Sequence, residues 1–191
     1  AAALVLHMPM PVLAVQILWL NLVTDPLIGT ALALDKKEPD LLKTKFEKLP
    51  KYFINKTMAL QMFLVAGSMA AGTLYLFNLY YAVDYWKGIT VALTTLAVFQ
   101  WYNGFNCQFL SRSVFSKQIF RNIYLWIAIA GNFGLQIAAI YSPFMQKILK
   151  TIPLTFSEWG MILAISFIVI LVEEARKVIC RLFSEEFKIS N

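Results

Sequence analysis

Five apolar stretches of about 20 residues constrain this chain more than any other feature of its sequence. A helix that crosses the hydrocarbon core of a bilayer, about 30 Å thick, needs roughly 20 predominantly apolar residues. The chain has 191 residues, of which 59% are hydrophobic and only 15% are charged, and its mean hydropathy is +0.64. An ordinary soluble domain has about 25% charged residues, so the polar surface here is too small to cover one. We therefore predict an all-α membrane protein, a bundle of about five transmembrane helices.

The predicted spans lie within a single transmembrane domain, residues 1–191. They are 12–34, 58–81, 89–110, 124–141 and 155–174, with a connector at 35–57 and a tail at 175–191. The last span is predicted to begin at Thr155, because Thr155 and Glu158 have the spacing of a capping box.

Basic residues give the predicted orientation. Of the 17 lysines and arginines, 14 lie in the connector, in the loop after the third span and in the tail. The positive-inside rule makes that face cytoplasmic, with the first residue outside and the last inside. Because the basic residues separate apolar runs and do not line one solvated face, the net charge of +6 does not indicate nucleic-acid binding, and we expect no nucleic-acid partner.

Asp25 is the charged residue that lies most clearly inside an apolar span. A carboxylate there costs several kcal/mol unless it faces water, a partner or an ion. Asn21 precedes it by four positions, about 40° around an α-helix, and Thr24 is adjacent in sequence. A carboxylate, an amide and a hydroxyl together form an all-oxygen set that suits a hard cation and no soft metal. Pro26 disfavours helix at Asp25, so we predict that the first span is broken there.

Alternatives remain open for these residues. The alternative for Asn21, Thr24 and Asp25 is that they only hydrogen-bond neighbouring helices near the cytoplasmic end of the span. The third predicted span has a second polar stripe, since Gln100, Asn103 and Cys107 share one helical face. Gln100 is a further candidate ligand for the same ion, with interhelical hydrogen bonding as the alternative.

For the other polar residues we expect no role in ion binding or catalysis. Glu173 and Glu174 stand beside Arg176 and Lys177 at the end of the last span, where we expect solvated ion pairs. Cys107 and Cys180 are far apart and indicate neither a disulfide framework nor a zinc site. No nucleotide-binding motif or catalytic triad is present, so we expect no catalytic residue in this chain.

The stretch V-Q-I-L-W-L-N-L-V-T-D, Val15 to Asp25, resembles the sixth transmembrane helix of type II P-type cation-transporting ATPases, especially calcium pumps. The order of later features is also similar to that family. A basic connector is followed by a helix, a Q-x-x-N-x-x-N pattern from Gln100, a ninth helix, T-F-S-E-W, and a tenth helix that ends in V-E-E. The resemblance covers nearly the whole chain, and N-L-V-T-D before a long basic connector is its most specific part.

The resemblance implies that Asn21, Thr24 and Asp25 are cation ligands, with Asp25 the central carboxylate. Gln100 stands where two-site calcium pumps have a glutamate and plasma-membrane-type pumps a glutamine, which bears on the number of ions. D-P-L-I-G also departs from the more usual D-G-x-P. The implied function is the C-terminal membrane part of an ATP-driven pump. Ca²⁺ is the expected cation, and oxygen ligands equally serve manganese, magnesium and monovalent ions.

The same resemblance sets the expected partners and location. ATP and Mg²⁺ would bind only in domains that precede this segment, so the chain alone would not hydrolyse ATP. Its partners would be the lipid bilayer and the remaining helices and cytoplasmic domains of the pump. We expect a multi-pass protein of a bacterial cell membrane, with eukaryotic endomembranes or the plasma membrane as alternatives. The competing hypothesis is a separate small channel or secondary transporter with an ion site at Asp25.

Overall fold

The computed structural model describes residues 9–35, 56–109, 113–115 and 117–189. Within these ranges the chain forms helices and no strands, so the all-α fold class is confirmed. In chain order the helices are α1 (Ala14–Ala33), α2 (Lys56–Tyr81), α3 (Tyr85–Gln108), α4 (Ile123–Tyr141), α5 (Pro143–Leu149), α6 (Phe156–Ser166) and α7 (Ile168–Ile189), with a 3-10 turn at Lys117–Phe120.

Four helical segments in the described ranges are long and apolar enough to cross a membrane. They are Ala14–Ala33, Met58–Tyr81, Ile123–Tyr141 and Phe156–Cys180, and they coincide with four of the predicted spans. The remaining predicted span, 89–110, corresponds to α3. This helix is less apolar because it carries buried polar side chains such as Thr90, Thr94 and Thr95. That α3 also crosses the membrane, and in which direction, stays a prediction.

The ends of the predicted spans differ from the helices in two places. Most of the predicted connector, residues 36–55, lies outside the described residues. The predicted tail begins inside a helix, because α7 continues past residue 174 to Ile189. The start of the last span agrees with the prediction, since the Thr155 hydroxyl and the Glu158 carboxylate form a reciprocal capping box.

The predicted break near Asp25-Pro26 takes the form of a π-helical turn that interrupts the α-helical pattern of α1. α1 is α-helical over Ala14–Trp19, forms a π-helical turn over Leu20–Thr24, and is α-helical again from Asp25. Asp25 has helical torsions (φ −63°, ψ −43°), and its N–H donates to the carbonyl of Leu20, five residues back. Pro26 lies in the first turn of the new α segment, where a missing N–H removes no bond of that segment. The interruption of the first span is therefore a wide turn that ends at Thr24, directly before Asp25.

α3 runs through the centre of the bundle. Its side chains Leu93, Val98 and Phe99 are fully buried. Two glycines bring other helices close to it, since a Cβ at Gly72 of α2 would lie 2.7 Å from Cζ of Phe99, and a Cβ at Gly104 would lie 3.0 Å from Cγ2 of Ile28 in α1. Small residues at helix contacts are a usual way to gain van der Waals packing in a membrane. This close packing positions α1 against α3.

Candidate cation site

Three buried amide side chains fix α1 along its length. Each donates a hydrogen bond to a backbone carbonyl oxygen of a different element. Gln16 donates to Leu149 at 2.8 Å, Asn132 donates to Thr24 at 3.0 Å, and Asn122 donates to Ala31 at 3.0 Å. A buried amide that loses its partner costs about 1–3 kcal/mol, so each bond favours one position of α1. The beginning, middle and end of α1 are thereby tied to α4 and α5 and to the residue before α4.

These amides are absent from the predicted site. A signal for two of them existed, because Gln16 and Asn132 are polar residues inside otherwise apolar spans. Nothing in the sequence indicates which carbonyls these amides bind, because every residue has a backbone carbonyl.

The four predicted ligands differ in burial. Thr24 is fully buried and points into the bundle. Asp25 and Gln100 are half-buried, and Asn21 is exposed. The π turn runs from Leu20 to Thr24, so Asn21 and Thr24 lie within it and Asp25 directly follows it.

Thr24 and Gln100 bring oxygen atoms from two helices together. The hydroxyl of Thr24 donates to the carbonyl of Leu20 at 2.8 Å, and Oγ1 lies 3.4 Å from Oε1 of Gln100. Because the hydroxyl hydrogen has the nearer acceptor in Leu20, lone pairs of Oγ1 remain available on the side of Gln100. Two oxygens at this separation can ligate one Ca²⁺, whose ligands lie about 2.3 to 2.6 Å from the ion.

Asn21 and Asp25 form the open part of the site. Neither side chain has a hydrogen-bond partner among the described residues. The four predicted ligands offer at most five oxygens, counting both carboxylate oxygens of Asp25, whereas Ca²⁺ takes about six to eight. In the described part of the chain, no cluster of three or more histidine, cysteine, aspartate or glutamate side chains is arranged to hold a metal ion. These four residues alone therefore do not complete the oxygen shell of a Ca²⁺ ion.

The polar residues of α3 were predicted either to bind the ion or to form interhelical hydrogen bonds, and the structure shows different surroundings for each. Gln100 and Asn103 are half-buried and Cys107 is exposed, so these three residues share a partly open face. Asn106, one turn beyond Asn103, is fully buried and donates from Nδ2 to the carbonyl of Val169 at 3.2 Å. Asn106 thus makes an interhelical hydrogen bond, while Gln100 alone of the stripe reaches Thr24.

The expectation of solvated ion pairs at the end of the last span is wrong. Glu173 is fully buried, and its carboxylate accepts hydrogen bonds from Arg176 at 2.6 and 2.9 Å and from Gln61 of α2 at 2.9 Å. Glu174 accepts one from the backbone N–H of Val114 at 2.9 Å. The pairs are buried because α2 and the turn at 113–115 pack against α7. They tie α2 and the turn at 113–115 to α7.

Comparison with known proteins identifies a family over most of the chain. The family described as "Cation transporting ATPase, C-terminus" matches residues 9–179.

Several calcium-transporting ATPases are similar to this chain. The Calcium-transporting ATPase of Bacillus subtilis is 33% identical over 87% of the chain. Calcium-transporting ATPase 1 of Saccharomyces cerevisiae is 29% identical over 94%, and Calcium-transporting ATPase type 2C member 2 of Rattus norvegicus is 26% identical over 96%. The chain spans only 19–20% of the length of these curated relatives.

Proposed function

This chain belongs to the family of cation-transporting ATPase C-terminal regions, and we propose that it forms the sixth to tenth transmembrane helices of an ATP-driven calcium pump. The similarity to calcium-transporting ATPases of bacteria, yeast and mammals supports Ca²⁺ as the transported cation. In this proposal the remaining four-fifths of the pump bind ATP and Mg²⁺ and carry out hydrolysis. The chain described here supplies part of the transport site.

The observation that carries the proposal is the approach of Thr24 to Gln100, at the residue that directly precedes Asp25 in the sequence. Oxygens of α1 and α3 meet within 3.4 Å at this point, one residue before the carboxylate. Asp25 supplies the negative charge that offsets the lost hydration of the ion, and Asn21, Thr24 and Gln100 supply neutral oxygens. We propose these four residues as the contribution of this chain to the cation shell.

The exposed side of the site, formed by Asn21 and Asp25, indicates where further helices would pack. Asn21 and Asp25 have no side-chain partner in the described part of the chain, and four side chains fill only part of a Ca²⁺ shell. We propose that the preceding helices of the same pump cover this side and bring further oxygens. The lipid bilayer surrounds the rest.

We propose that coupling to ATP hydrolysis arises from the free-energy cost of the charged Asp25 carboxylate inside the membrane. An uncompensated charge at membrane depth is unfavourable by several kcal/mol. A bound cation removes that cost, so occupancy changes the free energy of packing α1 against α3 and the covering helices. This change in packing is what the proposed pump transmits to its cytoplasmic domains.

The chain is part of a multi-pass membrane protein, and we propose a bacterial cell membrane as its location. The support is the identity of 33% with the Bacillus subtilis protein, against 29% and 26% with the yeast and rat proteins.

Calcium-dependent phosphorylation of the complete pump by ATP tests the proposal. Asp25→Asn removes the negative charge and keeps the shape of the side chain. Low Ca²⁺ concentrations, which activate phosphorylation in the parent pump, should therefore no longer activate it in the variant. Asp84→Asn is the matched control, because Asp84 is an exposed helix cap for which asparagine serves equally well. Equal calcium dependence in both variants would refute the assignment of Asp25.

A further inference from the structure

The backbone carbonyls around the π turn of α1 are satisfied unevenly. The carbonyl oxygen of Leu20 accepts two hydrogen bonds, one from the N–H of Asp25 and one from the hydroxyl of Thr24 at 2.8 Å. The carbonyl oxygen of Thr24 accepts an interhelical bond from Nδ2 of Asn132 at 3.0 Å. Donors are therefore concentrated on the carbonyls at the two ends of the turn.

The carbonyl of Asn21 has lost both of its possible helical donors. In an α-helix it would accept from the N–H of Asp25, but that N–H donates to Leu20 instead. In a π-helix it would accept from residue 26, which is proline and has no N–H. The combination of a π turn and Pro26 thus frees one carbonyl at a defined position.

Helix geometry places this oxygen beside Asp25. Carbonyls point along the helix axis toward the residue four positions later, so the Asn21 oxygen lies close to the backbone of Asp25. The side chains of Asn21 and Asp25 belong to the open part of the site. A carbonyl without a donor at membrane depth costs several kcal/mol unless water or an ion takes the place of the donor.

We propose that the main-chain carbonyl oxygen of Asn21 is a further ligand of the transported divalent cation, next to the carboxylate of Asp25. This inference rests on the proposed function, because it concerns the same site. Backbone carbonyls are hard, neutral oxygens of the kind that Ca²⁺ accepts. The added oxygen raises the contribution of the chain from five to six, which reaches the lower end of a Ca²⁺ shell.

The inference also explains why proline directly after the aspartate suits a cation site. Any other residue at position 26 would present an N–H to the carbonyls one turn back. That donor would compete with the ion for the oxygen lone pairs. Pro26 keeps the carbonyl free without unwinding the helix.

An amide-to-ester replacement in the complete pump tests the carbonyl directly. Leucic acid in place of Leu22 turns the Asn21 carbonyl into an ester carbonyl, which is a weaker electron donor, and leaves every side chain unchanged. Leucic acid in place of Leu27 is the matched control, because it removes one N–H from the same helix at another exposed leucine. We expect the ester at position 22 to lower the affinity for radioactive calcium by about fivefold relative to the control.

Pro26→Ala provides a second variant that keeps an ordinary backbone and restores a donor. It should lower calcium affinity in the same direction, while Pro143→Ala, at the start of α5, should not. If the ester at position 22 and Pro26→Ala both bind calcium as tightly as their controls, the Asn21 carbonyl is not a ligand. Loss of binding in Asp25→Asn alongside that result would leave the proposed function standing and overturn only this inference.

Discussion

Asn132 donates a hydrogen bond from its side-chain nitrogen to the backbone carbonyl oxygen of Thr24, across 3.0 Å and 108 positions of the sequence. Both residues are fully buried. The bond connects α4 to the end of the π turn, one residue before Asp25. The position of the candidate ligands on α1 therefore depends on a residue that is not one of them.

Asn132→Leu should lower the calcium affinity of the complete pump by about fivefold, because α1 loses the bond that holds its π turn. Gln136→Leu is the matched control, since this equally buried amide donates to Thr94 of α3 and not to α1. The measurement is the calcium concentration that gives half-maximal phosphorylation. An equal shift in the two variants would mean that Asn132 contributes only general stability.

Gly104→Leu should separate α1 from α3. A Cβ added at Gly104 would lie only 3.0 Å from Cγ2 of Ile28 in α1, so a larger side chain must push α1 away and widen the distance between Thr24 and Gln100. We expect calcium affinity to fall by about tenfold or more. Gly134→Leu, where nothing lies within 4 Å, serves as the control with the same change in volume. Normal affinity in Gly104→Leu would show that the Thr24–Gln100 contact is dispensable.

Glu173→Gln should destabilise the bundle. The guanidinium of Arg176 would then face a neutral amide in a site where both side chains are buried, at a cost of about 3 kcal/mol. Gln61→Leu removes only a neutral donor from the same carboxylate and should cost about 1 kcal/mol. The thermal unfolding midpoint of the detergent-solubilised pump gives the comparison. The reverse order of the two variants would contradict a buried charge pair.

The neutral side chain of Gln100 is the basis for a prediction about the number of ions bound per cycle. Two divalent ions close together need several carboxylates to offset their repulsion, and among the four candidate ligands only Asp25 carries a charge. Provided that the preceding helices contribute the usual acidic residues and no more, we expect one Ca²⁺ per phosphorylation site in the parent pump and two in Gln100→Glu. Two ions in the parent would show that the neutral amide does not limit the stoichiometry.

The helices were predictable from the sequence because length and hydropathy decide which segments can lie in a bilayer. Asp25 was predictable as a candidate ligand for the same reason, since a charge in an apolar span demands an explanation. The capping box of Thr155 and Glu158 was predictable because it is a local pattern. Each of these inferences needs only residues that are near in sequence.

The parts that sequence did not predict depend on contacts between distant elements. Glu173 resembles a surface residue at a helix end, and only the packing of α2 and the turn at 113–115 makes it buried. From the sequence, α1 could contain either an unwound segment or a π turn near Asp25. Pro26 is compatible with both. The bonds from Gln16 and Asn132 end on backbone carbonyls, for which sequence patterns give no partner.

Equilibrium binding of radioactive calcium to the purified complete pump, in the absence of ATP, tests the central claim most directly. The parent and Asp84→Asn should show saturable high-affinity binding. Asp25→Asn should show none, because it removes the only negative charge among the candidate ligands of this chain. Saturable binding of equal affinity and amount in Asp25→Asn and Asp84→Asn would contradict the account.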